Sequence, residues 1–408
     1  MTHSRWWLLF GFGLLVTGCS GAVAESAALI GDPSVVAELP GSLLVLEDDG
    51  AIAIVSPDGG ERTELAEGGE VVRTQPTWSP DGRRVAWTES VAGGEAELIT
   101  ASIGGDVITR DPAPFLAVYI AWDPTGRWLA FNGIDPEGDL HLAISQPGSE
   151  AELIDRGAPL WFDWNAAGTE LLVHIEDRFE FVPIGGGQRR PVSAGRFRVG
   201  VHAGDGVVFA SSNEVGEILV VGGADGSVRS ELLRVGSPTA FVVDPFDARL
   251  AVMSTPSAST LALSREEPGP VPVLEPNHLV VVQLADGAIL DVAQGRAVAW
   301  FWSPTGDRLL YSTMIERNGR IQLQWHTWDG SVTTDHQTFI PTGTFGRDYL
   351  AFFDQFDRSL SFWAPDGSGF VYAGGSTLED RGIWVQPVGG GLPVRVALGS
   401  VASWSPRP

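Results

Sequence analysis

The chain has 408 residues, 44% hydrophobic and 9% aromatic, enough to bury a large core and to exclude a disordered protein. A net charge of −25 repels nucleic acid and anionic membrane surfaces. All 26 basic residues are Arg, which excludes Schiff-base and P-loop lysines; the single cysteine, Cys19, excludes disulfides and thiolate metal sites from residue 20 onward.

Arg5 is followed by an apolar run from Trp6 to Val16 and then by Val16-Thr17-Gly18-Cys19. A charged, then greasy, then small-residue order is that of a secretory signal, and the run falls short of the roughly 20 residues a spanning helix needs. The tetrapeptide resembles a bacterial lipobox. That resemblance implies cleavage before Cys19, lipid on its thiol and an extracytoplasmic location, either periplasmic or on the outer surface of the plasma membrane. The expected organisation is a lipoprotein signal peptide over 1–18, a lipidated Cys and flexible linker over 19–40, and one folded domain over 41–408.

Within that domain, short strands are predicted at regular spacing, with no long helical period after residue 40. The organising signal is a degenerate repeat. Clear copies are Trp78-Ser-Pro-Asp-Gly82, Trp122-Asp-Pro-Thr-Gly126, Trp302-Ser-Pro-Thr-Gly306 and Trp363-Ala-Pro-Asp-Gly367. Weaker ones begin at Trp164, His202 and Val243, and the chain ends on Trp404-Ser-Pro406. Most first positions are 38–44 residues apart, near the period of a four-stranded propeller blade. Leu43 to Glu47, Ala51 to Ser56 and Arg62 to Leu65 read as strands two, three and four of a blade whose first strand, Ala402 to Ser405, comes from the other terminus. The expected fold is thus all-β: a single propeller of eight four-stranded blades, closed by pairing of the N- and C-terminal strands, or of seven if the His202 copy forms no blade. The recurring Trp is expected to fill the wedge between blades rather than to build a ligand cage.

These repeats resemble those of TolB-type proteins, the periplasmic component of the Tol–Pal system. The resemblance implies a propeller in an extracytoplasmic compartment. The chain departs from that family in its blade count, in having no room for an N-terminal α/β domain, and in its lipobox.

Two long insertions are predicted on one face of the ring: Thr255 to Asn277, after a second strand, and about Pro341 to Leu360, after a fourth. Long loops on a rigid scaffold often bind partners, although a tolerated surface insertion looks the same in sequence. The candidate binding residues are Arg265, Glu266, Glu267, Arg317, Arg347, Asp348, Tyr349, Asp354, Asp357 and Arg358. The loops between second and third strands are rich in acid, with Glu89, Asp135, Glu137 and Asp139 among them, and read as solvated hairpin tips. His174 and His202 read as interior packing, His326 and His336 as surface residues flanking a hairpin. No nucleophile elbow, His-Glu-x-x-His or calcium-loop ligand series occurs, so no catalytic residue, metal ligand or cofactor is expected. The resulting expectation is a non-enzymatic, monomeric binding or scaffold module of the cell envelope. It would be tethered to the membrane by its lipid and bind an unidentified protein, peptide or glycan, not nucleic acid. The alternative is a channel-mouth propeller enzyme, lactonase-like or cyclase-like and metal-assisted.

Overall fold

The computed structural model describes residues 30–408 except 92–93, 136, 195–198, 214–215, 237–238, 255–270, 296, 318 and 378. Cys19 and the candidates Arg265, Glu266 and Glu267 lie outside the described residues. The regular structure of the described residues is nearly all strand, arranged as antiparallel sheets that follow one another along the chain.

Among the described residues eight sheet units are present, one per repeat. The first joins β1 (Leu43–Leu46), β2 (Ile52–Val55) and β3 (Arg62–Ala66) to β31 (Val401–Trp404). Leu43 pairs with Trp404 and Leu46 with Val401, so the two ends of the chain share a sheet as the repeat count predicts. Five four-stranded sheets follow, and their innermost strands are β4 (Val71–Trp78), β8 (Ala117–Trp122), β12 (Leu160–Trp164), β16 (Gly200–Ala203) and β20 (Thr239–Val243). The seventh and eighth units begin at β24 (Ala297–Trp302) and at Trp363. They are joined edge to edge by two residue pairs, Ile340 with Gly375 and Pro341 with Gly374. The eighth has three full strands, and Trp363 bridges to Phe370 in the place of a fourth. The His202 copy forms a complete four-stranded sheet, which decides for eight blades over seven.

The repeat has a local physical explanation. In four copies the side chain after the Trp accepts the backbone N–H that closes the turn: Ser79 from Arg84, Asp123 from Trp128, Asn165 from Glu170, Ser303 from Arg308. Asp244 does the same for Arg249 in the Val243 copy. The final Gly adopts left-handed φ, +70° at Gly82 and +71° at Gly126. In the Val243 copy Asp247 takes that conformation at φ 54°, which Asp tolerates better than most residues. A Cβ on Gly168 would collide with Asp123 of the preceding blade, so the turn also needs Gly for space.

Trp at the first position works across the seams between blades. The indole N–H groups of Trp78, Trp164, Trp302 and Trp363 donate to the carbonyls of Ser403, Ala121, Val242 and Phe301, each on the inner edge of the preceding blade. All four rings are buried, which fits a core role rather than a cage.

A second seam contact comes from an Arg at the start of the next strand. Arg84, Arg249 and Arg308 reach forward to the carbonyls of Gly126, Gly306 and Gly367 in the following turn. Arg84 and Arg249 also lie over the Trp122 and Trp302 rings, 4.7 and 4.6 Å from their centres. Arg84→Ala should therefore lower stability by about 1–2 kcal/mol, since it removes a charge-assisted hydrogen bond and a cation–π contact. Arg83→Ala, next to it but exposed, should shift stability by less than about 0.5 kcal/mol. Thermal unfolding of the two variants side by side measures the difference.

Candidate functional site

Residues 342–360 do not form the surface loop that the strand pattern predicts. After β27 (Thr333–Pro341) the chain makes short helical turns over Phe345–Tyr349, Leu350–Phe352 and Phe353–Phe356. Phe345, Tyr349, Leu350, Phe353 and Phe356 are all buried. Phe353 packs on Trp300 and Phe301 of the seventh blade, and Phe356 on Tyr119 of the third. Polar contacts extend further round the ring. Thr77 of the second blade donates to the Ser359 carbonyl at 2.9 Å, and Gln355 donates to the Phe162 carbonyl of the fourth at 3.2 Å. Arg358 donates to the His202 carbonyl of the fifth at 2.7 Å. One segment thus touches the inner strands of blades on opposite sides of the ring and occupies the channel between them. The sequence carries a sign of it: aromatics at 345, 349, 353 and 356 recur at helical spacing, within a chain otherwise patterned as strands.

Beside this plug lies a polar cluster. Asp163, on β12, accepts from the His202 backbone N–H at 2.7 Å and contacts its ring Nδ1 at 3.0 Å. The Arg358 guanidinium sits 3.7 Å from Asp163 and 3.8 Å from Asp247. Asp354 and Asp357 complete the group. Asp163, Asp354, Asp357 and Arg358, together with Tyr119, Gln355 and neighbouring apolar residues, line a cavity of ≈10 Å³, about the space of one water.

The electrostatics differ among these acids. Burial alone would raise Asp163, but Arg358 and His202 override it and hold its carboxyl below the usual range. Asp354 has no such partner, and burial pushes it up to about 6. Burial also dominates at Asp357, with the negative charges of Asp163 and Asp354 added; Arg358 opposes them only in part, and the group is pushed up to about 7. Near pH 6 the cluster therefore holds protons on acids that would otherwise be fully charged. Chemically it offers an Asp–His pair, a cation and two carboxylic acids able to exchange protons.

The predicted site residues separate into groups. Tyr349, Asp354, Asp357 and Arg358 come together on the plug, with Tyr349 stacked against Phe356. Arg347 and Asp348 pair with each other at 2.7 Å near the plug's start, with Arg347 exposed. Arg317 is exposed at the tip of the hairpin between β25 (Leu309–Arg317) and β26 (Arg320–Trp328) and does not join them. Asp163, His202 and Asp247, placed by three different blades, carry no individual signal in the sequence.

Two other readings need correction. Glu89 is no solvated loop residue: it is buried and accepts from Trp87, Arg73 and Arg110. His326 and His336 are not at the surface. His326 bridges Thr313 and Asp335 at 2.8 Å each and stacks on Tyr311. His336 is pushed down to about 4, by burial first. His174 is interior, stacked on Phe179.

No family model and no curated protein matches the chain. Solved structures do. The dihydro-heme d1 dehydrogenase NirN, solved in complex with DHE, is 13% identical at a TM-score of 0.55 over 93% of this chain and 78% of its own. TolB from Acinetobacter baumannii is 14% identical at a TM-score of 0.40, over 73% of this chain. An oligogalacturonate lyase in complex with manganese is 12% identical at 0.44, over 88% of this chain and 84% of its own. The chain spans 64% of the length of that TolB. At these identities the likeness concerns the fold alone.

Proposed function

We propose that this chain is a lipid-anchored, extracytoplasmic propeller that acts as a non-enzymatic docking module for protein, peptide or glycan in the cell envelope. The observation that carries this reading is the occupied channel. With residues 342–360 seated, the cavity beside them has room for about one water. Contact with a partner then falls to the outer faces of the ring, and the candidate segment is the sequence insertion that follows β21 (Arg249–Ser254). The address rests on the lipobox resemblance at Cys19. Among the described residues no helix is long and apolar enough to cross a membrane.

The test has two parts. Cys19→Ser should abolish labelling by a fatty-acid analogue and move the protein from the membrane to the soluble fraction; membrane retention without lipid would reject the anchor. Deleting 256–270 should remove crosslinks to the envelope partner while thermal unfolding stays unchanged. The deletion stops there because Leu274 is buried against the fifth blade and donates to the Arg234 carbonyl. Crosslinks unchanged by the deletion would reject the insertion as a contact surface. The crosslinker must be photoreactive or carboxylate-directed, as the chain has no lysine.

The channel-mouth enzyme stays as a second reading because of the acids gathered around Arg358. Among the described residues, no three His, Cys, Asp or Glu converge as a metal site. Elemental analysis of the purified protein, with an assay of lactone and ester hydrolysis, separates the two readings.

A further inference from the structure

We propose that the polar end of the plug, residues 354–359, is a proton-controlled latch that is seated in the channel in acid and opens as the pH rises toward 8. The geometry divides the plug into two parts. Phe345, Tyr349, Leu350 and Phe353 form an apolar anchor buried against the ring. Beyond them, the latch is held mainly by single hydrogen bonds: Gln355 to the Phe162 carbonyl, Arg358 to the His202 carbonyl, and Thr77 to the Ser359 carbonyl. One buried ring, Phe356, accompanies them, 5.1 Å from Tyr119.

Charge decides whether those bonds hold. The groups facing the latch are Asp163 from the fourth blade, His202 from the fifth, Asp247 from the sixth and Tyr119 from the third. The latch itself brings Asp354, Asp357 and Arg358. With Asp354 and Asp357 protonated, Arg358 faces two carboxylates, Asp163 and Asp247, and offsets one of them. With both ionised, three carboxylates, Asp163, Asp354 and Asp357, line one small cavity beside Arg358; solvent partly screens Arg358 and Asp247, each 37% exposed, and least of all the buried Asp163.

The direction follows from proton affinity. Enclosure raises Asp354 to about 6 and Asp357 to about 7, from an ordinary value of 3.8. The seated form therefore binds protons more tightly than an open, solvated one. Its advantage is complete below the ordinary value and is lost as the pH climbs through 6 and 7. Opening would join the small cavity to solvent and uncover the Asp163–His202 pair. None of this depends on a lipid anchor or a partner, and the test uses the soluble propeller domain in the form that Cys19→Ser provides.

Hydrogen exchange at pH 5 and pH 8, expressed as protection factors, reads the latch directly. Amides of 354–359 should lose about tenfold or more of their protection at pH 8, while those of β28 (Gly369–Gly375) should not change. In Asp354→Asn/Asp357→Asn, near-isosteric and uncharged, protection of 354–359 should be equal at the two values. Wild-type protection that is the same at pH 5 and pH 8 overturns the proposal. So does a double variant that keeps the wild-type pH dependence.

Discussion

Phe353→Ala is expected to cost about 3–5 kcal/mol, while Phe352→Ala next to it should change stability by less than about 0.5 kcal/mol. The two rings are adjacent in sequence and opposite in environment: Phe353 is 5% exposed and Phe352 60%. Phe353 lies with its ring centre 4.3 Å from that of Trp300 and 5.9 Å from that of Phe301. Truncation leaves a cavity on the channel axis, where the rigid inner strands can collapse only in part, so the cavity cost adds to the lost transfer energy. Urea unfolding followed by tryptophan fluorescence measures both variants, the 15 Trp of the chain reporting on the whole ring. Equal midpoints for the two would mean that the plug is not seated. By the same reasoning, deleting 342–358 should destabilise the ring, because that deletion removes five buried apolar side chains at once.

The second large effect is expected at the C-terminus. A chain ending at Leu398 lacks β31 and with it the inner strand of the first blade. Four ladder pairs disappear, and the edge of β1, whose four residues are all buried in the intact protein, is left facing solvent. An uncovered apolar edge is a template for strand pairing between molecules. The truncated protein should therefore collect in aggregates, and any soluble fraction should unfold well below the full chain. A soluble, monomeric product with an unchanged melting temperature would show that the terminal pairing contributes nothing.

The repeat was legible because its residues answer to local chemistry. Pro and Gly shape the turn, the Ser, Asp or Asn before Pro closes it, and Trp fills a seam. Each copy of the motif therefore reports one blade, even where Asp247 replaces Gly. The pairing of the termini followed from counting strands. The plug was obscured for a physical reason. Its four aromatics obey a helical period over only a turn or two at a time, and their partners on the ring, Trp300 and Phe301 for Phe353 and Tyr119 for Phe356, belong to other strands distant in sequence. The acid cluster is harder still, since Asp163, His202 and Asp247 belong to different repeats and no spacing relates them. Glu89 shows the same limit on a smaller scale. In a chain this acidic a carboxylate at a strand end looks solvated, and only the convergence of Arg73, Arg110 and Trp87 makes it part of the interior.

The contacts across the seams give the ring a sense of rotation. Where both occur, as at the seam between the sixth and seventh blades, the indole points back and the guanidinium points forward, gripping the same junction from both sides. Because each grip runs from one repeat to the next, seams of this kind are interchangeable. A whole repeat can be duplicated or lost with the joint re-formed, whereas a cut inside a repeat parts a blade from its own handle. Blade number in such a protein is thus a variable that gene duplication can change in single steps. The plug is the exception: it is sized to one channel, and a ring with one blade more would no longer fit it.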